Sequence, residues 1–124
     1  PLSCDIPQVY TCDEFKSVEL LSVCDYLITD YSAIAIEGAI LNRKTYYFVY
    51  DYEEYTSKNG TNIDLFREMP GCVFKSADKL CHALDNEYPE SSLQSYRQKF
   101  LPEKLGTSTA SIAELIITKL QETD

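Results

Sequence analysis

The stretch that constrains this chain most is CDYLITDYSAIAIEGAILNRKTYYFVYDYEEY, from Cys24 to Tyr55. A short apolar run ends in a polar Thr-Asp-Tyr-Ser turn, an apolar segment follows, and an aromatic run resumes after Asn42-Arg43-Lys44. Strand, helix and strand in that order make a parallel βαβ unit, because parallel neighbours need a crossover and a helix supplies it. The strand-to-helix turn then gathers backbone N–H groups and hydroxyls at one spot. The positive end of a helix favours an exposed anion by roughly 0.3–1 kcal/mol, so a phosphate is the expected occupant.

The alternation continues on both sides of that unit. Asp5 to Tyr10 reads as a first strand, and Thr11-Cys12-Asp13-Glu14 has the spacing of a capping box opening a helix with Phe15, Val18 and Leu21 inward. Asp25 to Thr29 is a second strand, apolar on both faces as an inner parallel strand is. Ser32 caps the helix that carries Ile34, Ile36, Ala39, Ile40 and Leu41, Gly38 permits close approach, and Thr45 to Tyr50 is the third strand. Asp51 to Pro70 reads as a surface excursion that turns at Asn59-Gly60, with helical character possible from Asn62 to Met69. Gly71 to Lys75 gives a fourth strand, and Ser76 caps a helix with Ala77, Leu80, Cys81 and Leu84 on one face. A polar helix from Ser91 to Phe100 and, past Pro102 and Gly106, a last helix with Ile112, Leu115, Ile116 and Leu120 inward complete the pattern. The expected fold class is α/β, a Rossmann-like doubly wound parallel sheet whose ligands sit beyond the carboxyl ends of its strands.

With 124 residues, 44% of them hydrophobic, the whole of 1–124 is expected to form one domain with its own core. The net charge of −9 argues against nucleic acid or an anionic membrane surface as a partner, since both require clustered Lys and Arg. The longest apolar stretch, Ala33 to Leu41, is interrupted by Glu37 and is far short of the roughly 20 residues a membrane span needs. A soluble cytoplasmic domain is the expectation, and a chain opening at Pro1 reads as a fragment of a longer protein. The five cysteines form no CxxC pair and are odd in number, so they read as small buried side chains in a reducing compartment rather than as zinc ligands or disulfides. His82 adjoins Cys81, which on a helix points it about 100° away, and Asp78 and Asp85 flank it as on a solvated face. No metal site and no cofactor follow from these residues.

The rule of strand ends selects three segments for one cleft: Thr29, Asp30, Tyr31, Ser32 and Ala33 after the second strand, Tyr50 to Tyr55 after the third, and the turn around Gly106. Thr29 and Ser32 can offer hydroxyls to a phosphate while the amides at Ala33 and Ile34 complete a cradle, or Asp30 and Ser32 merely cap the helix. An ionised Asp30 repels a diphosphate, so ordering the turn is its better-fitting role. Glu37 either reaches the cleft, where a ribose hydroxyl pair would suit it, or pairs with Arg43 or solvent. Gly106-Thr107-Ser108-Thr109 is a second helix start for another phosphate or an ordinary glycine turn, and Tyr50 or Tyr52 could stack on a base.

These segments, with MPGCVFKSADKL and SYRQKFLPEKLGTSTASIAELI further on, resemble the C-terminal half of the CDP-glycerol glycerophosphotransferases, the teichoic acid primases and polymerases. The resemblance runs from about Asp13 to Leu120 and implies the C-terminal, donor-binding part of a GT-B transferase. It implies that Thr29, Asp30, Tyr31 and Ser32 correspond to the family's TDYS element, with Ser32 resembling a pyrophosphate ligand. Ala33 stands where a second serine is common, Glu37 where Asp is frequent, and Leu105-Gly106 with Thr109 and Ser111 where the family has Asp-Gly followed by serine and arginine. The catalytic histidines implied by the family would lie upstream of Pro1, so no catalytic residue is assigned within this chain.

The implied reaction moves an alditol phosphate from CDP-glycerol or a related CDP-alditol to a hydroxyl of a lipid-linked glycan or teichoic acid, releasing CMP. The acceptor would bind through the missing N-terminal part, the full-length protein would sit at the inner face of the plasma membrane, and the isolated fragment would be inactive. Two other readings stay open: a sugar-nucleotide (UDP-sugar) glycosyltransferase or 2-epimerase domain with Glu37 near a ribose, and a response-regulator receiver with Asp30 as phosphoacceptor.

Overall fold

The computed structural model describes Val9, Tyr10 and residues 12–122. Helix α1 (Ser17–Leu21) starts later than the Thr11 motif implies. Cys12 instead closes a turn by accepting the Phe15 N–H at 3.1 Å, and the helix is capped when Glu19 accepts the Lys16 N–H at 2.7 Å. Phe15 and Val18 are consequently exposed, and of the expected inward trio only Leu21 is buried. Of the expected first strand, Val9 and Tyr10 belong to no strand, and Asp5 to Gln8 lie outside the described residues.

Strands β1 (Tyr26–Thr29), β2 (Lys44–Phe48) and β3 (Val73–Phe74) form a parallel sheet in the order β1-β2-β3. Tyr26 faces Lys44, Thr29 faces Tyr47, and Tyr47 faces Val73. Helix α2 (Ile34–Ile40) makes the crossover from β1 to β2. It lies so close to the sheet that a Cβ on Gly38 would stand 2.9 Å from the Leu27 side chain and 3.3 Å from Thr45 Oγ1, which is the close approach the glycine permits. On the opposite face, Tyr46 donates its hydroxyl to the Ala83 carbonyl at 3.1 Å, fastening α5 (Ala77–Leu84) to the sheet. Helices cover both faces, so β2 is buried from Thr45 to Tyr47.

Because β3 is only two residues long, it leaves the Thr45 backbone without a strand partner on the β3 side. The Tyr88 hydroxyl stands in for one. It accepts the Thr45 N–H at 3.1 Å and donates to the Thr45 carbonyl at 3.2 Å, satisfying both groups of a buried residue. Tyr46 packs edge-on against Tyr88 at 5.2 Å and against Phe74 at 5.8 Å, geometries that aromatic quadrupoles favour.

The segment from Asp51 to Pro70 is more regular and more buried than its sequence implies. It holds α3 (Tyr52–Asn59) and α4 (Leu65–Glu68), turns at Gly60 with φ 69°, and sends Leu65 and Met69 into the core. Helix α6 (Glu90–Phe100) likewise buries Ser92, Leu93 and Tyr96 despite its polar composition, and Arg97 donates to the Ala39 and Ile40 carbonyls that end α2. Helix α7 (Ser108–Gln121) departs the other way: Ile112, Leu115, Ile116 and Leu120, expected inward, are all exposed. Cys12 and Cys81 are exposed rather than buried, Cys24 is half-buried, and Cys72 alone of the described cysteines is fully enclosed. Burial pushes the Cys72 thiol up to about 11.

Met69 tests whether the 51–70 segment belongs to the core. Truncation of a side chain 1% exposed leaves a cavity, and Met69→Ala is expected to lower the urea unfolding free energy by about 2–5 kcal/mol. A loss under about 0.5 kcal/mol would return the segment to the surface.

Candidate functional site

Beyond the carboxyl end of β1 the turn organises itself. Asp30 Oδ1 accepts the Ser32 N–H at 3.0 Å, and Ser32 Oγ accepts the Ile34 N–H at 3.4 Å, so both side chains shape the entry into α2. Asp30 thus takes the turn-ordering role its charge favours.

The turn opens on a cavity of about 290 Å³. Asp30, Tyr31, Ser32 and Ala33 line one side, Tyr55 and the Gly60-to-Ile63 loop the other, and the buried Tyr47 and Tyr96 lie beneath. Tyr31 joins the two sides. Its hydroxyl donates to Asp51 Oδ1 at 3.1 Å, and its ring stacks on Tyr55 with centroids 3.6 Å apart and planes 8° from parallel. Burial, reinforced by Asp51, holds the Tyr31 phenol well above its ordinary value, so it remains a donor at any ordinary pH.

The other candidates lie elsewhere. Thr29 ends β1 but does not line the cavity, and Glu37 is exposed. Ala35 and Ile36 take the cavity side of α2, and the helical rotation of about 100° per residue turns Glu37 away to solvent. Arg43 is no partner for it either, since its Nη2 donates to the Ser22 carbonyl at 2.7 Å. Gly106, Thr107, Ser108 and Thr109 are also outside the cavity, because they lead into α7, none of whose residues is buried against the sheet. Tyr50 is exposed and Tyr52 packs edge-on against Phe66 at 5.1 Å, so neither lines the cavity. Sequence reasoning passed over Asp51 as a partner for Tyr31 and the loop from Gly60 to Ile63. The signal for the loop was the Asn59-Gly60 turn followed by alternating apolar Ile63 and Leu65.

A family model described as CDP-Glycerol:Poly(glycerophosphate) glycerophosphotransferase matches residues 8–118. The chain belongs to this family. It is 30% identical, over 91% of its length, to a teichoic acid poly(ribitol-phosphate) polymerase of Bacillus spizizenii, of which it covers 19%. It is 26% identical, over 86% of its length, to a teichoic acid glycerol-phosphate primase of Bacillus subtilis, of which it covers 30%. The solved wall teichoic acid polymerase TagF superposes on 85% of this chain and 27% of its own, with a TM-score of 0.61 and 26% identity. The chain thus spans 19–30% of the length of these relatives, and its fold is the expected Rossmann-like, doubly wound α/β sheet of GT-B type.

At the end of β3, Lys75 pairs with Glu53 Oε1 and lies over the rings of Tyr52 at 4.8 Å and Phe66 at 5.2 Å. The hydrogen bond from Lys75 holds the Glu53 carboxyl below its ordinary value of 4.5. A depressed carboxyl contributes stability that is present above its unfolded value and fades as pH falls through its folded one. In a carbon-13 NMR titration Glu53 is expected to have its midpoint below 4.5, and Lys75→Ala to move that midpoint upward. An unchanged midpoint in the variant would remove Lys75 as the cause.

Proposed function

We propose that this chain is the donor-binding part of a CDP-alditol glycerophosphotransferase. The observation that carries the reading is a TDYS turn facing a cavity at a strand's carboxyl end, in a chain that belongs to the glycerophosphotransferase family. Asp30, Tyr31, Ser32 and Ala33 form the phosphate-binding turn, which Thr29 joins to β1 from outside the cavity. Within it Ser32 contributes its hydroxyl, the backbone near Ala33 its amides, and Asp30 the order of the loop. Ala33 in place of a second serine removes one hydroxyl contact from this set.

In the reaction, the oxygen of an acceptor hydroxyl bonds to the phosphorus that carries the alditol, and the bond from that phosphorus to CMP breaks. Charge builds on the departing CMP phosphate, where preorganised N–H and O–H donors act most strongly. The base that takes the acceptor proton and the site for a lipid-linked glycan or teichoic acid belong to further parts of the full-length protein, working at the cytoplasmic face of the membrane. Among the described residues no helix is long and apolar enough to cross a membrane. The names of the polymerase and primase relatives, from ribitol-phosphate and glycerol-phosphate pathways alike, support a CDP-alditol over a UDP-sugar donor.

In the full-length protein, Ser32→Leu is expected to raise the KM for CDP-glycerol at least tenfold, as loss of a charge-assisted hydrogen bond of about 1.5–3 kcal/mol would. A KM unchanged for both CDP-glycerol and CDP-ribitol would overturn the assignment. The isolated chain is expected to bind CDP-glycerol weakly in calorimetry and to release no CMP from it, and turnover by the isolated chain would contradict the division of labour.

A further inference from the structure

The bonds that shape the turn after β1 are internal to it. Asp30 to Ser32 and Ser32 to Ile34 fix its local form but not its tilt against the sheet. Tyr31, which packs against the core, supplies contacts from outside, and its hydrogen bond and ring stack both come from the first turn of α3: the Asp51 carboxylate at 3.1 Å and the Tyr55 ring at 3.6 Å. Those two partners are themselves locked together, since Tyr55 donates its N–H to the Asp51 carbonyl at 2.9 Å. All three residues are half-buried, and Tyr31 and Tyr55 both line the cavity, so the clamp is part of its wall.

We propose that Asp51 and Tyr55 are positioning residues for donor binding: they hold Tyr31, and through it the backbone from Asp30 to Ser32, in the geometry that receives the donor diphosphate. The inference rests on the donor-binding reading above. A turn free to tilt is competent only part of the time, and apparent affinity falls in proportion to that fraction. Once the donor is seated, the turn is ordered whether or not the clamp is present. The clamp therefore acts on KM and leaves kcat nearly alone, a division that a generally loosened fold would not produce. An ionised carboxylate is the stronger acceptor for the phenol, and two parallel rings resist rotation about the Tyr31 side-chain bonds.

The test is donor kinetics of the full-length protein with saturating acceptor. Tyr31→Phe and Asp51→Ala are each expected to raise the KM for CDP-glycerol about tenfold with kcat within about twofold, and the double variant to be no worse than either single one. Tyr55→Leu is expected to raise KM similarly, and Tyr55→Phe, which keeps the ring, to restore it. Tyr31→Phe and Tyr55→Phe each delete a single hydroxyl, so the series stays readable even where Asp51→Ala lowers the unfolding midpoint. The proposal is overturned by an unchanged KM in Tyr31→Phe and Asp51→Ala, by effects that multiply in the double variant, or by kcat falling while KM holds. If Ser32→Leu still raises KM in that case, the clamp alone fails; if Ser32→Leu is also silent, the donor-binding reading fails with it.

Discussion

Strand β2 has water on neither side, and the rest of the architecture answers to that condition. A strand buried from Thr45 to Tyr47 must find cover on two faces and a partner for every backbone N–H and C=O. Helix α2 supplies one cover because Gly38 lets it settle onto Leu27 and Thr45, and α5 supplies the other, fastened by the Tyr46 hydroxyl. Arg97 reaches from α6 to the carbonyls at the end of α2, so the crossover helix is held at its far end too. Position and pitch of α2 in turn decide where the Asp30-to-Ser32 turn points.

How far the sequence disclosed this can be read residue by residue. The βαβ unit was plain, since Tyr26 to Thr29 and Lys44 to Phe48 are apolar on both sides and the polar turn between strand and helix is unmistakable. The 51–70 segment was not, because its helices carry the charges of a surface and only Leu65 and Met69 are fully buried, too few for a periodic signal. The motif at Thr11 misled for a related reason: Glu19 sits beside Lys16 with equally good spacing, and local capping patterns do not say which copy the chain will use. Helix α7 has the amphipathic stripe of an inward-facing helix, yet Ile112 and Leu120 are exposed, and periodicity is blind to which surface a stripe is meant for.

At the site, the turn was legible and its support was not. Asp30 and Ser32 bond within three residues of themselves, and such contacts are written in local sequence. Tyr31 reaches twenty residues onward to Asp51, a pairing no spacing rule predicts. Glu37 was over-read, because an acidic residue on an apolar helix invites a partner, whereas here the helix simply turns it to solvent. The contacts that tie the turn to the start of α3 thus come from the tertiary fold, and the bonds that shape the turn itself come from the motif.

The Tyr88 hydroxyl, filling the place of strand residues that β3 lacks, has a consequence for solubility. A ladder whose free amide and carbonyl are already occupied by a phenol offers nothing for a stray extended segment to zip onto. Among the described residues β1 is the longer of the two edge strands, four residues against two in β3, and with Tyr26 and Ile28 exposed it is where unwanted strand addition would begin.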